Sequence, residues 1–80
     1  MEMNLDGWAR QARDMGLRTV VSPDRCEALI FNMNALERGF LWVKPSGLAA
    51  CEPVDAPVQD MDISAALALL DRLAKVEPIE

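Results

Sequence analysis

The sequence predicts an α+β domain: a helix, an antiparallel meander of three or four strands, then a second helix, with both helices packed on the sheet. Three observations carry this. Two segments with apolar residues at helical spacing bracket the chain. Between them lie short runs rich in Val, Thr, Phe and Trp, each bounded by a Pro- or Gly-containing turn signal. No connection between those runs is long enough for a parallel crossover.

Asn4 is placed to cap a first helix over Leu5–Met15, in which Leu5, Trp8, Ala9, Ala12 and Met15 fall on one stripe. Gly16 follows the last periodic residue, where a left-handed C′ position is expected, and Leu17 can close back onto Ala12. Leu17–Ser22 reads as the first strand, and Ser22-Pro23-Asp24-Arg25 as a turn with Pro at its second position. Cys26–Met33 is the second strand, with Leu29, Phe31 and Met33 on one face and Ala28 and Ile30 on the other. Asn32–Gly39 is a polar connection with room for one helical turn. Phe40–Lys44 is the most strand-like segment, stopped by Pro45-Ser46-Gly47, after which Leu48–Glu52 can return as a short fourth strand. Pro53–Met61 reads as an irregular acidic loop. Asp62 then caps a helix over Ile63–Val76 that ends before Pro78, with Ile63, Ala66, Leu67, Leu70, Leu73 and Ala74 as its buried stripe. The expected core is Leu5, Trp8, Ile30, Phe31, Leu41, Val43, Leu67, Leu70 and Leu73.

Eighty residues make one domain, 1–80, with a small core, and the 51% hydrophobic content is too high for a disordered acidic tail. No apolar run is long enough to span a bilayer, and Glu2 and Asp6 sit where a secretory signal would be basic. The expected location is the cytoplasm. The chain has no histidine and two cysteines, Cys26 and Cys51, outside any CxxC pair, so no zinc site is expected and both read as free core thiols.

Catalysis is not expected. Histidine and tyrosine are both absent, and no base stands ready to activate Thr19, Ser22, Ser46 or Ser64. Asp60 and Asp62, with Glu52 and Asp55, resemble a cation loop only loosely, because the glycine and distal glutamate of an EF-hand are missing. No metal and no cofactor is expected. Asp62-Ile63-Ser64 resembles an acyl-carrier attachment site, but the strands exclude that all-helical fold.

The net charge of −5 is unevenly distributed. Residues 1–44 balance, whereas residues 45–80 hold Arg72 and Lys75 against Glu52, Asp55, Asp60, Asp62, Asp71, Glu77 and Glu80. That sign disfavours direct contact with nucleic acid, which depends on Lys and Arg releasing counterions. It favours a protein partner with a basic surface. Glu52, Asp55, Asp60 and Asp62 are therefore the candidate contact residues, with no Lys or Arg among them in sequence. Trp42 is the candidate apolar anchor, because Arg38, Phe40, Trp42 and Lys44 alternate onto one strand face.

In length, helix-and-meander organisation, lopsided acidity and lack of catalytic groups, the chain resembles small phage-encoded anti-CRISPR proteins, in particular inhibitors of type I systems. The resemblance rests on this profile over the whole chain and on no motif. It implies a stoichiometric, non-enzymatic inhibitor that binds a crRNA-guided surveillance complex or its nuclease, often by blocking DNA access as a DNA mimic; a monomer is expected. Two other readings stay open: an antitoxin-like or accessory subunit that binds a dedicated protein partner, and a weak metal-binding or carrier role.

Overall fold

A computed structural model describes residues 4–75. Helix α1 (Leu5–Asp14) leads into strands β1 (Arg18–Ser22), β2 (Glu27–Phe31), β3 (Phe40–Lys44), β4 (Gly47–Cys51) and β5 (Gln59–Met61), and helix α2 (Ile63–Ala74) follows. The sheet runs β1-β2-β3-β4-β5 with every neighbouring pair antiparallel. Between β2 and β3 the chain makes one 3₁₀ turn, Leu36–Arg38. The fold class predicted from sequence is the one observed.

Both helix starts form as their capping residues direct. Asn4 accepts from the Gly7 N–H at 2.8 Å, and Asp62 accepts from the Ala65 N–H at 2.7 Å. The α1 terminus is a Schellman closure. Gly16 takes φ +78°, its N–H donates to Arg13, and the Leu17 N–H donates to Ala12 at 2.8 Å. Leu17 is thereby buried beside Ala12 at the entry to β1. The predicted end of α2 at Pro78 lies outside the described residues; within them the helix stops at Ala74.

The strand pairing sorts side chains into two faces. Thr19, Ile30, Leu41, Ala50 and Gln59 form one cross-strand row on the inner face. Ala28, Val43, Leu48 and Met61 extend that face. Helix α1 lies over β1 and β2, and α2 lies over β3 and β4. Trp8, Ile30, Leu41, Leu69, Leu70 and Leu73 are the largest side chains fully buried between them.

Four expectations need correction. A fifth strand, β5, forms inside the segment read as a loop: Gln59–Met61 pairs with Leu48–Ala50, and packing of Met61 against the core outweighs weak strand propensity. Leu69 belongs to the buried stripe of α2, whereas Leu67 and Leu5 only border the core. Phe31 lies on the opposite face of β2 from Ile30 and is half-buried there. Cys26 is an exposed residue at the end of the β1–β2 turn, with φ 55°, and only Cys51 is a core thiol.

One polar contact and one glycine lock the sheet to its surroundings. Asn32, only 7% exposed, donates through Nδ2 to the Leu73 carbonyl at 2.8 Å and accepts from the Asn34 N–H at 2.8 Å. It satisfies a carbonyl in the last turn of α2 from the end of β2. Gly39 has φ 108°, ψ −162°, a region open essentially to glycine alone, and a Cβ there would collide with the Cys51 carbonyl oxygen.

Candidate functional site

The same alternation that buries Leu41 and Val43 sends Phe40, Trp42 and Lys44 to the outer face, where no helix lies among the described residues. Val20, Leu29, Trp42, Ala49 and Asp60 form one row straight across all five strands. Val20 is 53% exposed and Leu29 37%, while Ala49 is buried. A shallow groove of about 400 Å³ runs along this face, walled by Val20, Leu29, Phe40, Trp42 and Val58. Arg25 and Glu27 stand at one end of it.

Trp42 is held in place on both sides. Its indole N–H donates to Glu27 at 3.3 Å, and Lys44 Nζ sits 4.7 Å from the ring centroid. The indole's polar atom and one ring face are thus engaged, so the side chain is fixed before any partner arrives. An immobilised aromatic loses little conformational entropy on binding.

The four acidic candidates are exposed, but they do not form one uncancelled patch. Glu52 makes a two-pronged pair with Arg72, at 2.9 Å and 2.8 Å, from a position twenty residues away. The Arg72 hydrogen bond holds the Glu52 carboxyl below its ordinary value, opposed by slight burial and aided by the charge of Arg72; the same contact raises Arg72. Asp60 lies 3.8 Å from Lys44. Asp62 spends one oxygen on the α2 cap. Asp55 has no side-chain hydrogen bond or ion pair among the described residues. Glu77 and Glu80 lie outside them.

Asp60 therefore links the two halves of the expected site. It belongs to the same outer-face row as Trp42 and brings negative charge to the β5 edge of the apolar groove. Glu52, by contrast, turns toward α2. What the sequence did not single out is the apolar wall around Trp42. Val20, Leu29 and Val58 each look like ordinary strand or loop residues until the pairing register brings them together.

Among the described residues, no three or more His, Cys, Asp or Glu side chains converge as a metal site. No helix there is long and apolar enough to cross a membrane. Comparison with protein-family models, curated proteins and solved structures finds no match to this chain.

Proposed function

We propose that this chain is a non-enzymatic protein-binding inhibitor of the anti-CRISPR kind, docking through its open sheet face onto a type I crRNA-guided complex. One observation carries the docking mode: a fixed, aromatic-walled groove opens beside acidic Asp60, on the face that neither described helix covers. A partner that fits offers an apolar anchor to the groove and basic side chains to Asp60 and Asp55. A groove that binds a DNA backbone is basic, which supplies the second element. The choice of target follows the resemblance in size, charge and organisation. With neither histidine nor tyrosine in the chain, binding energy is the resource available for inhibition.

Within this mode the roles divide. Trp42 supplies affinity, as buried aromatic anchors do in other interfaces. The acidic side chains mainly accelerate association and contribute only about 0–1 kcal/mol per exposed pair. Asp55→Asn with Asp60→Asn is the charge test that spares the α2 cap and the Glu52–Arg72 pair, with Asp55→Asn alone as the control that also leaves the Asp60–Lys44 pair beside Trp42 intact.

The measurement is competition between this protein and a labelled target duplex for a purified type I surveillance complex. Wild type should displace the duplex. Trp42→Ala should weaken displacement by about tenfold or more, the scale of an aromatic hot spot. The double Asp variant should slow association and flatten its salt dependence. Failure of wild type to bind at micromolar concentration would sink the anti-CRISPR reading and leave the dedicated-partner reading. Unchanged binding by Trp42→Ala would remove the groove from the interface.

A further inference from the structure

The two edges of the sheet are finished differently. Strand β5 has three residues, follows Pro57 closely and carries Asp60, the devices by which edges are kept from pairing. Strand β1 is longer, five residues over Arg18–Ser22; its one charge, Arg18, and the proline that follows it, Pro23, lie at its two ends, and its centre, Thr19–Val21, holds no proline, charge or bulge. It pairs with β2 alone, and among the described residues no backbone or side-chain hydrogen bond reaches its free edge. Val20 on the outer face and Val21 on the inner face are 53% and 45% exposed. Exposed valines on opposite faces of one strand mark an edge that another strand would flank.

We infer that β1 pairs antiparallel with β1 of a second copy, making a continuous ten-stranded sheet. Centring the pair on Val20 keeps all five residues matched: Arg18 opposite the other copy's Ser22, Thr19 opposite Val21, Val20 opposite Val20. Paired residues share a face, so the two outer faces join and all four helices lie on one side. Three features fit this arrangement. Helix α1 lies over β1 and β2, so adding a strand spacing between copies sets the two α1 axes roughly 10 Å apart, an ordinary packing distance. That contact covers Val21. On the outer face, each Arg18 comes to lie two strand spacings, roughly 10 Å, from Glu27 of the other copy, and an extended guanidinium can reach its carboxylate. The dimer replaces the monomer expected from sequence. It also joins the two grooves across the Val20 pair.

The test uses the isolated chain, so it is independent of any partner. Sedimentation equilibrium from micromolar to submillimolar concentration should show a monomer–dimer equilibrium. Val20→Lys, at an exposed position, should raise its dissociation constant about tenfold or more, because two like charges face each other at the axis. Register is read by oxidation of cysteine variants in a Cys26→Ser background. Val20→Cys places two Cα atoms about 4.5–5.5 Å apart, within disulfide range, and should cross-link. Ser22→Cys places them roughly 14 Å apart along the strands and should not. A monomer at every concentration, a dimer indifferent to Val20→Lys, or equal cross-linking at both positions would overturn the inference.

Discussion

Leu41 and Trp42 are consecutive in β3, yet one is fully buried and the other lines an open groove. The inner face is apolar apart from Thr19 and Gln59, whereas the outer face sets Val20, Leu29, Phe40 and Trp42 among Arg18, Glu27, Lys44 and Asp60. The order of the elements follows that difference: both helices return to the uncharged side. A second apolar surface is then left facing water on a chain small enough that covering one face exhausts its helices. The alternation of charged residues onto one side marks the other face for burial, and the connectivity leaves the mixed face, with its apolar groove, open to water.

The sharpest way to break this comparison is one substitution made on each side. Leu70→Ala should cost roughly 2–5 kcal/mol, because the leucine is fully enclosed and its removal leaves a cavity. Leu29→Ala should cost under about 1 kcal/mol, because water already reaches that side chain. Urea denaturation of both variants measures the difference. Equal losses would mean that the outer face is covered in solution.

A smaller effect is expected at the junction between β2 and α2. Asn32→Leu removes the donor to the Leu73 carbonyl and should cost about 1–3 kcal/mol, the range for stranding a buried polar group. Hydrogen exchange should then report faster opening of the last turn of α2 while the Trp8 region is unchanged. Loss of protection spread evenly over both helices would show Asn32 to be part of the general core.

Glu52 gives the smallest effect. Its folded-state carboxyl titrates below the ordinary 4.5, so its contribution is present above that value and is lost as pH falls through the folded one. Both partners are substantially exposed, which limits the contribution to about 0–1 kcal/mol. Glu52→Gln should therefore narrow the stability gap between neutral and acid pH slightly. A flat difference across that window would show the pair to be energetically silent.

Local physics made much of this legible from sequence. Asn4, Gly16 and Asp62 act on neighbours within a few residues, and the helix boundaries they set are close to those observed. The strands from β1 to β4 were equally readable, since turn signals separate them. What escaped were effects of long-range pairing. Strand β5 exists because Met61 finds Leu48, not because Gln59-Asp60-Met61 favours extended backbone. The Glu52–Arg72 pair closes over twenty residues and breaks up an acidic cluster that looks continuous in the sequence. Trp42 was identified as a candidate anchor, but its neighbours Val20 and Val58 become a wall only through the sheet register.

The chain has two tryptophans and no tyrosine, and the fold places one indole on each side of the sheet. Trp8 is 1% exposed, in the layer between helices and strands, while Trp42 borders the open groove. Its intrinsic fluorescence is therefore a two-channel signal that needs no label. A neutral collisional quencher should extinguish the redder Trp42 component and leave the Trp8 component until the domain unfolds. Shielding of the first component without change in the second would report occupancy of the groove, in the native protein and in real time.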